Sequence, residues 1–121
     1  MQYMHVDLTE KVIGAFYEVY NTLGHGFLEK VYENALVAEL REQGLSAEQQ
    51  LALEVEYKGT CVGHYFADLV VNGRVIVEVK AVKAIAPEHE AQVLNYLKAA
   101  GIRVGLILNF GPRPQIKRLV F

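Results

Sequence analysis

The sequence predicts one α/β domain, a mixed central β-sheet flanked by helices, with its elements in the order ααβββαββ. Three observations lead there. Apolar residues recur at helical spacing as far as Leu40, and the pattern changes to strand-like alternation after Glu48. A helical segment opened by a proline then precedes an uncharged stretch from Val104 to Phe110. Such a stretch is expected of a strand covered on both faces.

Each element has a local reason. Val12, Ile13, Phe16, Val19, Tyr20 and Leu23 fall at helical spacing, so a first helix is expected from about Glu10 to Asn21, capped by Asp7 or Thr9 and ended by Gly24 and Gly26. Leu28, Val31, Tyr32, Ala35, Leu36 and Leu40 give a second helix, from about Leu28 to a stop at Gly44, and the two form a helical hairpin. Three antiparallel strands follow as LALEVEY, TCVGHYFADLVV and RVIVEVKAV, punctuated by Lys58-Gly59 and Asn72-Gly73. Pro87 suits the first turn of a third helix, which runs through about Ala99 and ends at Gly101. VGLILNF and a short strand near Ile116 to Val120 complete the order. No repeat, low-complexity segment or linker interrupts it.

A chain of 121 residues, 52% hydrophobic and 21% charged, fills one core and falls short of two. The opening MQYMHVDLTE lacks a basic region followed by an apolar run, and no apolar run approaches the roughly 18 residues of a membrane span. These features point to the cytoplasm. The lone Cys61 has no internal disulfide partner, and no Cys or His cluster has zinc-ligand spacing. Net charge is only −2, yet residues 91–121 carry Lys98, Arg103, Arg113, Lys117 and Arg118 with no acid. That imbalance fits a phosphate-facing surface as well as it fits an ordinary solvated rim balanced by the acidic first half.

Charges inside apolar strands are the informative residues. In Val75-Ile76-Val77-Glu78-Val79-Lys80, alternation sends Glu78 and Lys80 to one face and the valines to the other. One strand upstream, Asp68 interrupts Phe66-Ala67-Asp68-Leu69-Val70-Val71, and an acid inside a sheet is costly unless something binds it. Whether the three charges meet depends on the hairpin. A regular two-residue turn at Asn72-Gly73 separates Asp68 from Glu78 and Lys80, whereas a bulged loop with Gly73 left-handed puts all three on one face. The bulge is expected.

Asp68, nine intervening residues and then Glu78-x-Lys80 resemble the D…ExK core of the PD-(D/E)xK nuclease superfamily, whose αβββαβ core matches the order of elements here. Gly26-Phe27-Leu28-Glu29-Lys30-Val31-Tyr32 resembles the motif of the small bacterial GxxExxY proteins, grouped within that superfamily. The resemblance runs from the first helix to the last strand. It departs at Ala67, where the superfamily has proline, a position that shapes backbone rather than chemistry.

The resemblance implies a restriction-endonuclease-like domain over residues 1–121 and a metal-dependent nuclease. Asp68 and Glu78 would hold Mg²⁺ or Mn²⁺ together with the backbone carbonyl of Val79, and hard oxygen donors of this kind suit Mg²⁺. Lys80 would orient water or neutralise developing charge. Glu29 would approach from its helix to complete the acidic cluster; the ordinary alternative is a first-turn acid favoured by the helix dipole. Tyr32 and Glu33 share its helix face. Tyr32 is expected beside the site, and Gln92-x-x-x-Tyr96 resembles a Q-x-x-x-Y element that helps hold the site or the DNA in exonuclease-like branches. An amphipathic helix with Val93, Leu94 and Leu97 inward explains the same spacing.

Lys83, Lys98, Arg113, Lys117 and Arg118 are candidate phosphate contacts. His89 reads as a surface residue, and His25 and His64 belong to no catalytic pattern. Neither a Ser-His-Asp order, a phosphate-cradling glycine loop nor a dinucleotide fingerprint is present. Two functions follow. The first is a nuclease cutting nucleic acid, DNA ahead of RNA, alone or as a homodimer or with a partner protein that supplies recognition. The second is a nuclease-fold module that binds nucleic acid or protein with little or no turnover. For a dimer, strand Val104 to Phe110 or the tail from Phe110 to Phe121 is the candidate surface.

Overall fold

The computed structural model describes residues 4–121. Two helices, α1 (Val6–Leu23) and α2 (Glu29–Glu42), precede β1 (Ala47–Tyr57), β2 (Thr60–Val71) and β3 (Val75–Lys80); α3 (Pro87–Ala100) then crosses to β4 (Val104–Phe110), and β5 (Pro114–Val120) ends the fold. The five strands hydrogen-bond in sequence order. β3 and β4 are parallel and every other neighbouring pair is antiparallel, so the sheet is mixed, as expected. Among the described residues no helix is long and apolar enough to cross a membrane.

Alternation in the strands divides the core into two layers. Val75, Val77 and Val79 of β3 and Leu106, Leu108 and Phe110 of β4 face α1 and α2, meeting Val12, Phe16, Tyr32 and Leu36. Ile76 and Ile107 point the other way, against Val93, Tyr96 and Leu97 of α3. All of β4 is buried, because α1 packs on one face and α3 on the other. It also has a neighbour on each side, which removes it as a dimerisation edge; the sheet edges are β1 and β5.

The first helix departs from expectation. It starts at Val6, not Glu10, with left-handed His5 at its N-cap and no side-chain cap. Asp7 and Thr9 therefore lie within the first turn, where Asp7 favours the positive end of the helix dipole and the Thr9 hydroxyl donates back to the Val6 carbonyl at 3.0 Å. Arg118 extends from β5 to the Thr9 hydroxyl and the Met4 carbonyl, tying this start to the sheet.

β1 and β2 exchange faces partway along. Ala47 packs with α1 and α2, yet Leu51 and Leu53 pack with α3; on the partner strand Leu69 and Val71 belong to the first layer and Ala67 and Tyr65 to the second. The inversion falls between the pairs Gln49↔Leu69 and Leu51↔Ala67, at Gln50 and Asp68. Gln50 has φ 51°, a left-handed conformation that an unbranched residue tolerates at a cost.

Two glycines should respond oppositely to a methyl group. On the exposed face of α1 a Cβ at Gly14 meets nothing within 4 Å, so Gly14→Ala should raise stability by about 0.5–1 kcal/mol. In β4 a Cβ at Gly105 lands 2.7 Å from Val93 Cγ1 of α3, so Gly105→Ala should cost about 1–3 kcal/mol through overpacking. Urea denaturation of both variants measures the difference.

Candidate active site

The hairpin between β2 and β3 fixes which charges meet. Val71 pairs with Val75, leaving a three-residue connection in which Asn72 (φ 51°) and Gly73 (φ 65°) are both left-handed and the Arg74 N–H returns to the Val71 carbonyl at 3.0 Å. The extra residue changes the parity, so Asp68 lies across from Glu78, with Lys80 on the Glu78 face.

Regular pairing of β2 with β3 stops at Leu69↔Val77. Beyond it, the carboxylates take the place of backbone acceptors. The Asp68 N–H donates to Glu78 Oε1 at 2.9 Å, and the Val79 N–H donates to Asp68 Oδ2 at 2.9 Å. Each acid therefore holds a backbone group beside the other. Val79 is tied to the cluster through its N–H.

Glu78 is 3% exposed, whereas Asp68 is half-buried. Burial pushes the Glu78 carboxyl up to about 8, helped by the negative charge of Asp68 and opposed by the Asp68 N–H bond and the Lys80 ammonium. A carboxyl this reluctant to ionise next to another carboxyl marks a place suited to a cation.

Helix α3 supplies the lid of this face. Lys80 Nζ lies 3.4 Å from Gln92 Oε1, a long donor contact that keeps the ammonium over the same face as Glu78. Tyr96, one turn on, is buried against Tyr65; burial raises its hydroxyl pKa, with further contributions from the charges of Glu78 and Asp68. Gln92 and Tyr96 thus both flank the carboxylates, and the inward Val93 and Leu97 account for the rest of the helical stripe.

From the other layer the residue that reaches the cluster is Glu33. It is 4% exposed and accepts from Gln49 Nε2 at 2.8 Å, from Gln50 Nε2 at 3.1 Å and from Lys30 Nζ at 3.1 Å. The same Gln50 nitrogen lies 3.3 Å from Asp68 Oδ1, so one amide bridges a helical acid and a strand acid. Sequence reasoning passed over Gln50 and treated Glu33 only as a neighbour of Glu29. The helix face that Glu33 shares with Glu29 was the one signal in the sequence; the left-handed Gln50 had none.

The other expected residues spread out. Glu29 is exposed in the first turn of α2, and no hydrogen bond of the cluster reaches it. Tyr32 is fully buried and stacked on Phe110; its hydroxyl donates to the Gly24 carbonyl at 2.6 Å and accepts from the Phe27 N–H at 3.2 Å, away from the carboxylates. Lys83 is exposed just beyond β3, Arg113 in the turn before β5 and Lys98 on α3. Lys117 faces Glu90 at 3.9 Å, and Arg118 is engaged by the start of α1. His89 accepts the Ala86 N–H and so caps α3, and Cys61 is exposed on β2.

Among the described residues no three His, Cys, Asp or Glu side chains gather as a ready metal nest. Two neighbouring carboxylates nevertheless fit Mg²⁺, which holds several waters and needs one or two acids from the protein. Asp68 and Glu78 could supply that donor set.

No curated protein matches the chain in sequence. Among solved structures, one titled "Crystal structure of SSO0001" is similar in fold, with a TM-score of 0.58 at 18% identity over 98% of this chain; the chain spans 59% of that structure's length. A family model described as the PD-(D/E)XK nuclease superfamily matches residues 6–119. With nearly its full length matched, and a mixed five-stranded sheet between helical layers, the chain belongs to the PD-(D/E)XK nuclease superfamily.

Proposed function

We propose that this chain is a Mg²⁺- or Mn²⁺-dependent nuclease that hydrolyses phosphodiester bonds of nucleic acid, DNA ahead of RNA, with Asp68 and Glu78 as metal ligands and Lys80 as the catalytic cation. The observation that carries the reading is the pair of bonds in which Glu78 accepts the Asp68 N–H and Asp68 accepts the N–H of Val79, next to Glu78, beside Lys80. A purely structural role would not require two acids at a place where a strand ladder is broken to accommodate them.

A divalent cation, when bound, supplies Lewis-acid polarisation of the phosphodiester and lowers the pKa of water. The chain's own part is positioning and charge. The Val79 N–H and the Gln50 amide hold Asp68, and the Asp68 N–H holds Glu78, so neither carboxylate must reorganise to accept a cation. Lys80, steadied by Gln92, places positive charge where the phosphoryl oxygens gain negative charge, and orients water toward phosphorus. Tyr96 and the α3 layer keep bulk water from the inner side of Glu78, which strengthens each of these interactions.

Glu78 also sets a pH dependence. Its folded pKa, about 8, lies above the ordinary value of 4.5, so the folded state binds the extra proton between them. The resulting stability is fully present below about pH 4.5 and is lost as pH rises through about 8. Chemical denaturation in chelator should show that decline, and Glu78→Gln should flatten it. Ligands must be deprotonated to bind metal, so Mg²⁺ or Mn²⁺ should raise the melting temperature more at pH 8 than at pH 6. Equal stabilisation at both pH values, or in the Asp68→Ala protein, would count against this ligand pair.

Cleavage of linear, single-stranded and branched DNA and RNA, with Mg²⁺ or Mn²⁺ against chelator, tests the activity. Asp68→Ala should reduce turnover to background, and Lys80→Ala should lower kcat by about 10²–10³-fold with KM little changed. Gln50→Ala, which releases Asp68 without removing a ligand, should cost about 10–100-fold. Metal binding that is lost in Asp68→Ala, with no turnover of any substrate by the unaltered protein, would favour the binding module instead.

A further inference from the structure

Three polar side chains outside the carboxylate cluster spend their hydrogen bonds on one cavity. Asn109 is fully buried: Oδ1 accepts the Val82 N–H and Nδ2 donates to the Val82 carbonyl, both at 2.9 Å. Tyr32 holds the α1–α2 loop by Gly24 and Phe27, and the Tyr20 hydroxyl donates to the Gly111 carbonyl at 2.8 Å. A Cβ at Gly111 would fall 2.0 Å from the Val82 carbonyl oxygen, so two of the walls touch where only glycine fits. Between these fixed walls lies a cavity of about 450 Å³, within the range of small-ligand sites.

The lining has a definite chemistry. Phe27, half exposed, gives the aromatic surface, with the buried Phe110 behind the wall, while Lys83 supplies a positive charge and His25 an imidazole; no carboxylate lines the cavity. Residues 81–83 form one wall and follow directly on Lys80, so that wall reaches its far end, Lys83, within roughly 11 Å of Lys80 along the backbone. An aromatic face beside a cation, without acids, suits a base and its phosphate.

We propose that this cavity is a subsite for an unpaired nucleobase of the substrate DNA strand, with the base stacked on Phe27 and its phosphate met by Lys83. The inference rests on the nuclease reading and gives that site a preference for single-stranded DNA or frayed ends. It also gives Gly26 and Tyr32 of the GxxExxY segment a task distinct from catalysis: Tyr32 ties the loop, and Gly26, at φ 119°, allows its bend.

The test uses single-stranded oligodeoxynucleotides carrying 2-aminopurine at successive positions, titrated in chelator so that no cutting occurs, with cleavage in Mg²⁺ or Mn²⁺ measured beside it. Phe27→Ala should weaken binding roughly tenfold and abolish the change in 2-aminopurine fluorescence at one position. Phe27→Tyr should restore both. Lys83→Ala should weaken binding and reduce its salt dependence, while a blunt duplex of the same sequence should bind Phe27→Ala and the unaltered protein alike. Phe27 is half exposed, so unchanged melting temperatures will verify folding. Cleavage by the unaltered protein, together with unchanged binding and fluorescence in Phe27→Ala, overturns the subsite alone. Failure of the unaltered protein to bind or cut any nucleic acid overturns the nuclease reading and the subsite with it.

Discussion

The parting of β2 from β3 at Asp68 is the constraint on which the site depends. A sheet normally satisfies its backbone by pairing, and a break in the ladder leaves N–H groups whose desolvation is costly. Here the N–H groups of Asp68 and Val79 are met by carboxylate oxygens, at 2.9 Å in each case. The same bonds that repair the ladder hold the acids in place. Replacing either acid by an apolar residue would therefore remove an acceptor from the backbone as well as a charge from the site, and its structural and chemical roles cannot be separated by deletion alone.

That arrangement explains why two layers of helix converge on one point. The inversion at Gln50 and Asp68 turns the far half of the β1–β2 ribbon so that Leu53 and Tyr65 face α3 while the near half still faces α2. At the inversion itself a side chain can be reached from both layers. Glu33 comes from α2 through Gln50, and Tyr96 and Gln92 come from α3. Without the left-handed Gln50, regular alternation would commit Asp68 to one layer.

Much of this was legible in the sequence because it rests on periodicity. Element order, strand direction and the buried character of β4 follow from apolar spacing and turn residues, and those signals are local. The hairpin parity was legible for a similar reason, since Asn72-Gly73 readily adopts left-handed conformations. What escaped was either nonlocal or without a residue signature. Gln50 is an ordinary polar residue whose φ is fixed by tertiary context, and Glu33 became distinguishable from Glu29 only when Gln49 and Gln50 were brought against it. The start of α1 was misread because His5 supplies no side-chain cap and the tie through Arg118 spans more than a hundred residues.

The two sequence motifs sit at opposite sides of the end of β3. Glu78 and Lys80 look toward α3, whereas the loop built by Gly26 and Tyr32 lies over the layer of α1 and Phe110. Chain continuity through Ala81 and Val82 joins them, and Asn109 clamps that crossing from the neighbouring parallel strand by both polar atoms of Val82. A strand end fixed in this way cannot shift relative to β4 without breaking two hydrogen bonds to a buried amide. Lys80 lies two residues before Val82 and Lys83 one residue after it, so the clamp fixes the backbone between them. The restraint comes from one buried asparagine, which is also the cross-strand partner of Lys80.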